Sequence, residues 1–226
     1  MKHTGKRILA LLLSAVLAMG TMTLPASAAT GEDPAAPASA EAVDALHGGE
    51  TISKGGSYTL ADDASGIITV ATAEAVTVSG SGVAWDENYR YTADTVKYAN
   101  LKFDCSGAPG ARLTLKDMFL EDRADTSPLI NFSGTGNRLN LEDTVVLDKY
   151  GSGQGTYANI HVPQDAALTI GGAGTLYLYK TSGGAGIGGN NMEMNGAVTF
   201  AMTGSAFLKG TKQGAVIGAE IGRAHV

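Results

Sequence analysis

The chain has 226 residues, with 16 Lys+Arg against 22 Asp+Glu, 31 Gly, one Cys and one Trp. A net charge of −6 argues against the basic face that nucleic-acid binding needs, and one Cys excludes a disulfide framework or a cysteine zinc cage. Hydrophobic residues at 44% and charged residues at 17% supply a core, unlike a disordered acidic chain.

Residues 1–28 read as a secretory signal. Lys2, Lys6 and Arg7 form a positive n-region, Ile8 to Met19 an apolar h-region, and Ala26-Ser27-Ala28 a small-residue cleavage site. A membrane-spanning helix needs about 20 apolar residues. Gly20, Thr21 and Thr23 interrupt this run, so no membrane span is expected in the mature chain. Removing Lys2, Lys6 and Arg7 leaves 13 basic residues against 22 acidic, a net of −9. Residues 29–46, rich in Ala with Pro34, Pro37, Glu32, Asp33, Glu41 and Asp44, have the composition of a solvated linker.

The domain is expected over 47–219, and an internal repeat dominates it. ALTIGGAGTLYLYKTSGGAGIGG (167–189) aligns with AVTFAMTGSAFLKGTKQGAVIGA (197–219) at an offset of 30. Arg112-Leu113-Thr114-Leu115-Lys116-Asp117 matches Arg138-Leu139-Asn140-Leu141-Glu142-Asp143 at 26. Leu139-x-Leu141 leads to Leu168-x-Ile170 at 29, and Ile130-Asn131-Phe132 to Ile160-His161-Val162 at 30. Each unit holds two or three short runs with period-two alternation, such as Leu113-Thr114-Leu115, punctuated by Gly, Asn, Asp and Ser. A sandwich does not require similar residues at corresponding points of every unit. Stacked coils do, because each residue lies over its equivalent about 4.8 Å along the axis. The expectation is an all-β parallel β-helix, a solenoid of about six coils. The last residues, 220–226, back-translate to a string resembling a sequencing-adapter read. They are read as an artefact, with the native chain running on past Ala219 and the solenoid truncated there.

The segment GGETISKGGSYTLADDASGIITVATAEAVTVSGSG (48–82) resembles the opening coil of secreted bacterial right-handed parallel β-helix proteins of the pectate-lyase-like superfamily. The LTIGGAGTLYLY…GGAGIGG unit (168–189) is similar to repeats of Gram-positive surface proteins in that superfamily, some of them carbohydrate-binding. The resemblance covers about residues 48–219. It implies right-handedness and a secreted or cell-surface location.

For chemistry, the stacked Arg112/Arg138 and Asp117/Asp143 are the strongest carboxylate constellation, with Asp104, Asp122, Asp125 and Asp148 nearby. Like charges on adjacent coils could bind a cation such as Ca2+ at Asp117 and Asp143. A solvated outer face is the preferred reading, and no catalytic residue or cofactor is assigned. His47 and His161 have no metal-ligand spacing, and Cys105 reads as a semi-buried thiol. Aromatic rings offer a better handle, since they stack on pyranose faces. Inward Leu176 and Leu178 would put Tyr177 and Tyr179 outside, with Phe207 at the Tyr177 position one coil on. Separately, Trp85, Tyr89 and Tyr91 interrupt the repeat among polar groups, as a projecting loop would. The expected function is a non-catalytic, adhesin-like module that binds a polysaccharide or a host or cell-wall glycan. The alternatives are a polysaccharide lyase or glycoside hydrolase with catalytic coils partly missing, or a structural stalk.

Overall fold

A computed structural model describes residues 45–84, 91–150, 156–180, 183–210 and 214–218. The signal at 1–28, the linker up to residue 44, Trp85, Tyr89 and the tail at 220–226 lie outside the described residues. All described residues belong to one compact unit, Ala42–Val226. It is all-β, and no helix occurs among the described residues.

Two sheets contain every strand of the described residues. The first comprises β1 (Thr51–Ile52), β3 (Gly66–Val70), β6 (Leu101–Asp104), β8 (Ile130–Asn131), β10 (Ile160–His161), β13 (Ile187–Gly188) and β16 (Ile217–Gly218), hydrogen-bonded in that order. The second runs through β2 (Gly56–Thr59), β4 (Ala75–Ser79), β7 (Arg112–Asp122), β9 (Asn137–Lys149), β11 (Ala167–Gly172) and β14 (Ala197–Met202). β5 (Lys97–Ala99) joins the C-terminal half of β7, while β12 (Thr175–Lys180) joins that of β9 and continues to β15 (Ser205–Lys209). Every strand–strand pairing is parallel.

Alternation decides which side chains form the core. Ile68, Phe103, Ile130, Ile160, Ile187 and Ile217 occupy one in-register file of the first sheet. The first five are buried, and only Ile217, on the last strand, is exposed. In the second sheet Val76, Leu113, Leu139 and Ile170 form another buried file, ending at the half-exposed Phe200. A side chain covered on both sides by its equivalents gains roughly 1.5–3 kcal/mol from burial. Leu46, read from composition as linker, bridges Leu60 and is buried in the same core.

The repeat offsets of 30 and 26 are the pairing registers of β11 with β14 and of the first half of β7 with β9. The offset of 29 is corrected. Leu139 pairs with Ile170, and Leu168 with Asn137. A two-residue slip keeps every side chain on its own face, so apolar alternation cannot detect it. Asn137 pins the true register, donating from Nδ2 to Ala167 O at 3.2 Å while its Oδ1 accepts from the Gly110 and Ala111 amides.

β7 and β9 are also far longer than the short runs expected, at 11 and 13 residues. Each bends at an aspartate in the left-handed region, Asp117 (φ 48°) and Asp143 (φ 53°), and pairing resumes beyond with a register shift. Asp tolerates this conformation better than most residues, so the ladder turns a corner without ending. The next strand meets the corner with Gly172 (φ 99°), where a Cβ would lie 2.2 Å from Leu141 O.

Candidate functional site: an aromatic and acidic face

The halves of the second sheet beyond the corner carry two outward files. One runs Lys97, Phe119, Val146, Tyr177, Phe207; the other runs Ala99, Glu121, Asp148, Tyr179, Lys209. Between them Tyr98, Leu120, Leu147 and Leu178 point inward and are buried. Strict alternation in parallel strands therefore sets an aromatic file beside an acidic one.

Tyr177 and Phe207 stack with centroids 5.0 Å apart and planes 11° from parallel. Phe207, at 54% exposure, is the most open ring of the face. Tyr91 lies against this face. Its ring tilts onto Phe119 at 4.7 Å, and its hydroxyl hydrogen-bonds Tyr179. Burial and that bond raise the Tyr91 hydroxyl pKa well above the usual tyrosine value. Phe119 and Val146 face outward yet are fully buried. Lys97 Nζ lies 4.9 Å from the Phe119 centroid and 5.5 Å from that of Tyr91, within cation–π range. The structure thus brings Tyr91, Tyr177, Tyr179 and Phe207 onto one face and adds Phe119, whose spacing from Tyr177 the turn residues obscured. Trp85 and Tyr89 belong to the chain segment that precedes Tyr91, outside the described residues.

The acids of this face have different surroundings. Glu121 is paired with Arg123 at 3.0 Å and Lys97 at 3.7 Å. Asp148, its register neighbour, has its pKa raised, first by burial and then by the charge of Glu121, against the pull of Lys97 and Arg123.

Asp117 and Asp143 have different neighbours. Asp117 Oδ1 accepts from the Val83 amide at 3.2 Å, and Asp143 faces Lys116 Nζ at 3.6 Å. Asp143 borders an open concavity of about 460 Å³ together with Lys116, Glu142, Thr144 and Gly174. Among the described residues no group of three or more His, Cys, Asp or Glu side chains is arranged to hold a metal ion.

Asp122 and Asp125 depart from the solvated outer face expected for the acids. Asp122 is fully buried, 2.5 Å from the equally buried Lys149 Nζ and 3.5 Å from Lys102 Nζ. Its Oδ1 accepts from the Ala124 and Asp125 amides, and Asp125 adds a 2.9 Å ion pair to Lys149. Burial alone would raise the Asp122 pKa, but the Lys149 hydrogen bond and both ammonium charges hold it below the ordinary carboxylate value. Sequence reasoning missed this cluster, because a 123–129 segment folding over Lys102 leaves no periodic signal.

The first sheet carries a polar file. Asn131 Nδ2 donates to Asp104 Oδ1 at 3.1 Å, and Asn131 Oδ1 lies 2.7 Å from His161 Nδ1. His161 Nε2 is 2.8 Å from Glu193 Oε2, which also accepts from the Asn190 amide. Burial tends to raise the Glu193 pKa; the His161 bond outweighs it and holds the pKa below normal. The 30-residue spacing of Asn131 and His161 was the sequence trace of this file, whereas Glu193 sits in a loop with no equivalent. Cys105 is fully buried, and burial together with Asp104 pushes its thiol up to about 12, so it is no nucleophile.

The fold and faces thus define an all-β protein of parallel sheets with a mixed aromatic and acidic surface. Comparison with protein-family models, curated proteins and solved structures gave no match.

Proposed function

We propose that this chain is an exported or cell-surface, non-catalytic glycan-binding module built as a right-handed parallel β-helix, and that the aromatic and acidic face is its binding surface. The β-helix reading is supported by the pairing: the chain passes repeatedly between two sheets, and each pass stacks in parallel on the one before. Handedness follows the resemblance to pectate-lyase-like proteins, and export follows the n-region, h-region and cleavage pattern of residues 1–28.

The observation that carries the binding reading is the in-register juxtaposition of Tyr177 and Phe207 with Glu121, Asp148 and Tyr179. Rings supply apolar contact to sugar faces, and the neighbouring carboxylates and hydroxyl accept or donate hydrogen bonds to sugar hydroxyls. The partner is a polysaccharide or a host or cell-wall glycan.

The test is retention of the folded protein on insoluble polysaccharides, with the supernatant assayed for released sugar. Retention without product, weakened roughly five- to tenfold in Phe207→Ala by loss of one ring contact, supports the proposal. No retention on any polymer refutes it. The adjacency of Glu121 and Asp148 on neighbouring strands favours a glycoside hydrolase as the second reading, and soluble product would select that one.

A further inference from the structure

We propose that the glycan held by this face carries free amino groups, and that Asp148 is the residue that selects it. This inference rests on the binding reading above and names its substrate class.

The argument starts from unequal pairing. Glu121 has two cations of its own, Arg123 and Lys97. Asp148 lies in register between Glu121 and Tyr179, and among the described side chains no cation comes within 4.0 Å of it. Lys97 and Arg123 act on it only at longer range, and Lys209 stands one strand beyond Tyr179. A half-buried carboxylate beside a second carboxylate is repelled and poorly solvated, so a ligand cation relieves both penalties.

The second observation is the file of rings alongside it. Tyr179 is the register partner of Asp148, and Tyr177, two positions back on the same strand, lies in the adjoining outward file. Aromatic faces next to a carboxylate recognise an ammonium group in preference to a hydroxyl. A uronate, by contrast, would be repelled by Asp148, the carboxylate that Arg123 and Lys97 leave without a close partner because they pair with Glu121. The geometry therefore favours a deacetylated hexosamine polymer over its N-acetylated or anionic counterparts.

The experiment titrates the intact protein with glucosamine oligosaccharides, their N-acetylated counterparts and oligogalacturonates of equal length, at a mildly acidic pH where the amines are protonated. The expected result is at least about tenfold tighter binding of the amino form, the worth of one charge-assisted hydrogen bond. Asp148→Asn should bring that ratio to about one while leaving N-acetylated binding in place, and Asp148→Glu should keep most of it. Circular dichroism melts of each variant establish that it is folded. Equal binding of amino and N-acetylated oligomers by the wild type, or loss of both together in folded Asp148→Asn, overturns the inference and leaves glycan binding standing. Absence of binding to all three probes, with no retention on any polysaccharide, removes the glycan-binding reading as well.

Discussion

Replacing Asp122 by Asn removes the one carboxylate that two buried ammonium groups share. Asp122 and Lys149 are both fully buried, and Lys102 is nearly so. In the wild type the Asp122 carboxylate accepts hydrogen bonds from Lys149 Nζ at 2.5 Å and from the Ala124 and Asp125 amides at 3.0 and 3.2 Å, and it pairs with Lys102 Nζ at 3.5 Å. Asparagine keeps the shape but leaves Lys149 its ion pair with Asp125, and leaves Lys102 the longer-range charge of Asp125. Breaking a buried pair from one side costs about 3–5 kcal/mol. For a domain of this size that is a fall in Tm of about 6–20 °C, at about 2–4 °C per kcal/mol. Lys149→Met should cost less, because Asp122 retains Lys102 and both amides. The double variant should cost at least about 1 kcal/mol less than the two singles added together. Urea denaturation of the four proteins, with midpoint and slope both fitted, measures this. A cost below about 1 kcal/mol for Asp122→Asn, or additive singles, would refute the claim that these charges act as one buried unit.

Acid should loosen the loop that Glu193 holds to His161. A carboxyl whose folded pKa is depressed contributes stability present above its ordinary value of 4.5 and lost as pH falls through the lower folded value. Exchange of the Asn190 amide, which donates to Glu193, should therefore accelerate as pH drops below about 4.5 relative to neighbouring amides, and Glu193→Gln should abolish the trend. At the corner, Asp143→Gly should be neutral within about 0.5 kcal/mol and Asp143→Val should cost about 1–2 kcal/mol, because only backbone conformation is at stake. A calcium-dependent rise in Tm that Asp143→Gly abolishes would support cation binding at this aspartate. Gly172→Ala should cost at least about 2 kcal/mol by thermal melting, since its Cβ would strike the Leu141 backbone, where no side chain can move aside.

The parts of this fold that were legible are those where chemistry repeats with the pairing. Ile130 and Ile160, Leu113 and Leu139, and Tyr177 and Phe207 are partners in the sheets and were visible as equal spacings. The register of Leu139 was not, because Leu168 and Ile170 are both apolar and two positions apart. The site was half legible: Leu176 and Leu178 are buried and put Tyr177 and Tyr179 outside, but Phe119 reads as one more core residue in the run Met118-Phe119-Leu120. Only the left-handed turn at Asp117 swings it to the outer face. The Asp122, Lys102 and Lys149 cluster was illegible for a different reason. Charged residues are ordinarily read as solvated, and what buries these is the segment from Thr126 to Ser127, which supplies Lys102 and Lys149 with a hydroxyl and a carbonyl.

The parallel register also has an evolutionary corollary. Because Phe119, Val146, Tyr177 and Phe207 follow one another at the strand spacing, duplicating a whole unit of chain lengthens the file without disturbing any contact already made. Surface of this kind is acquired by copying rather than by redesign. Each copy is then free to exchange its one outward residue, as Val146 stands in a file otherwise aromatic from Phe119 onward. If the face binds a chain-like ligand as proposed, the number of units sets how many monomers it grips, and so its avidity.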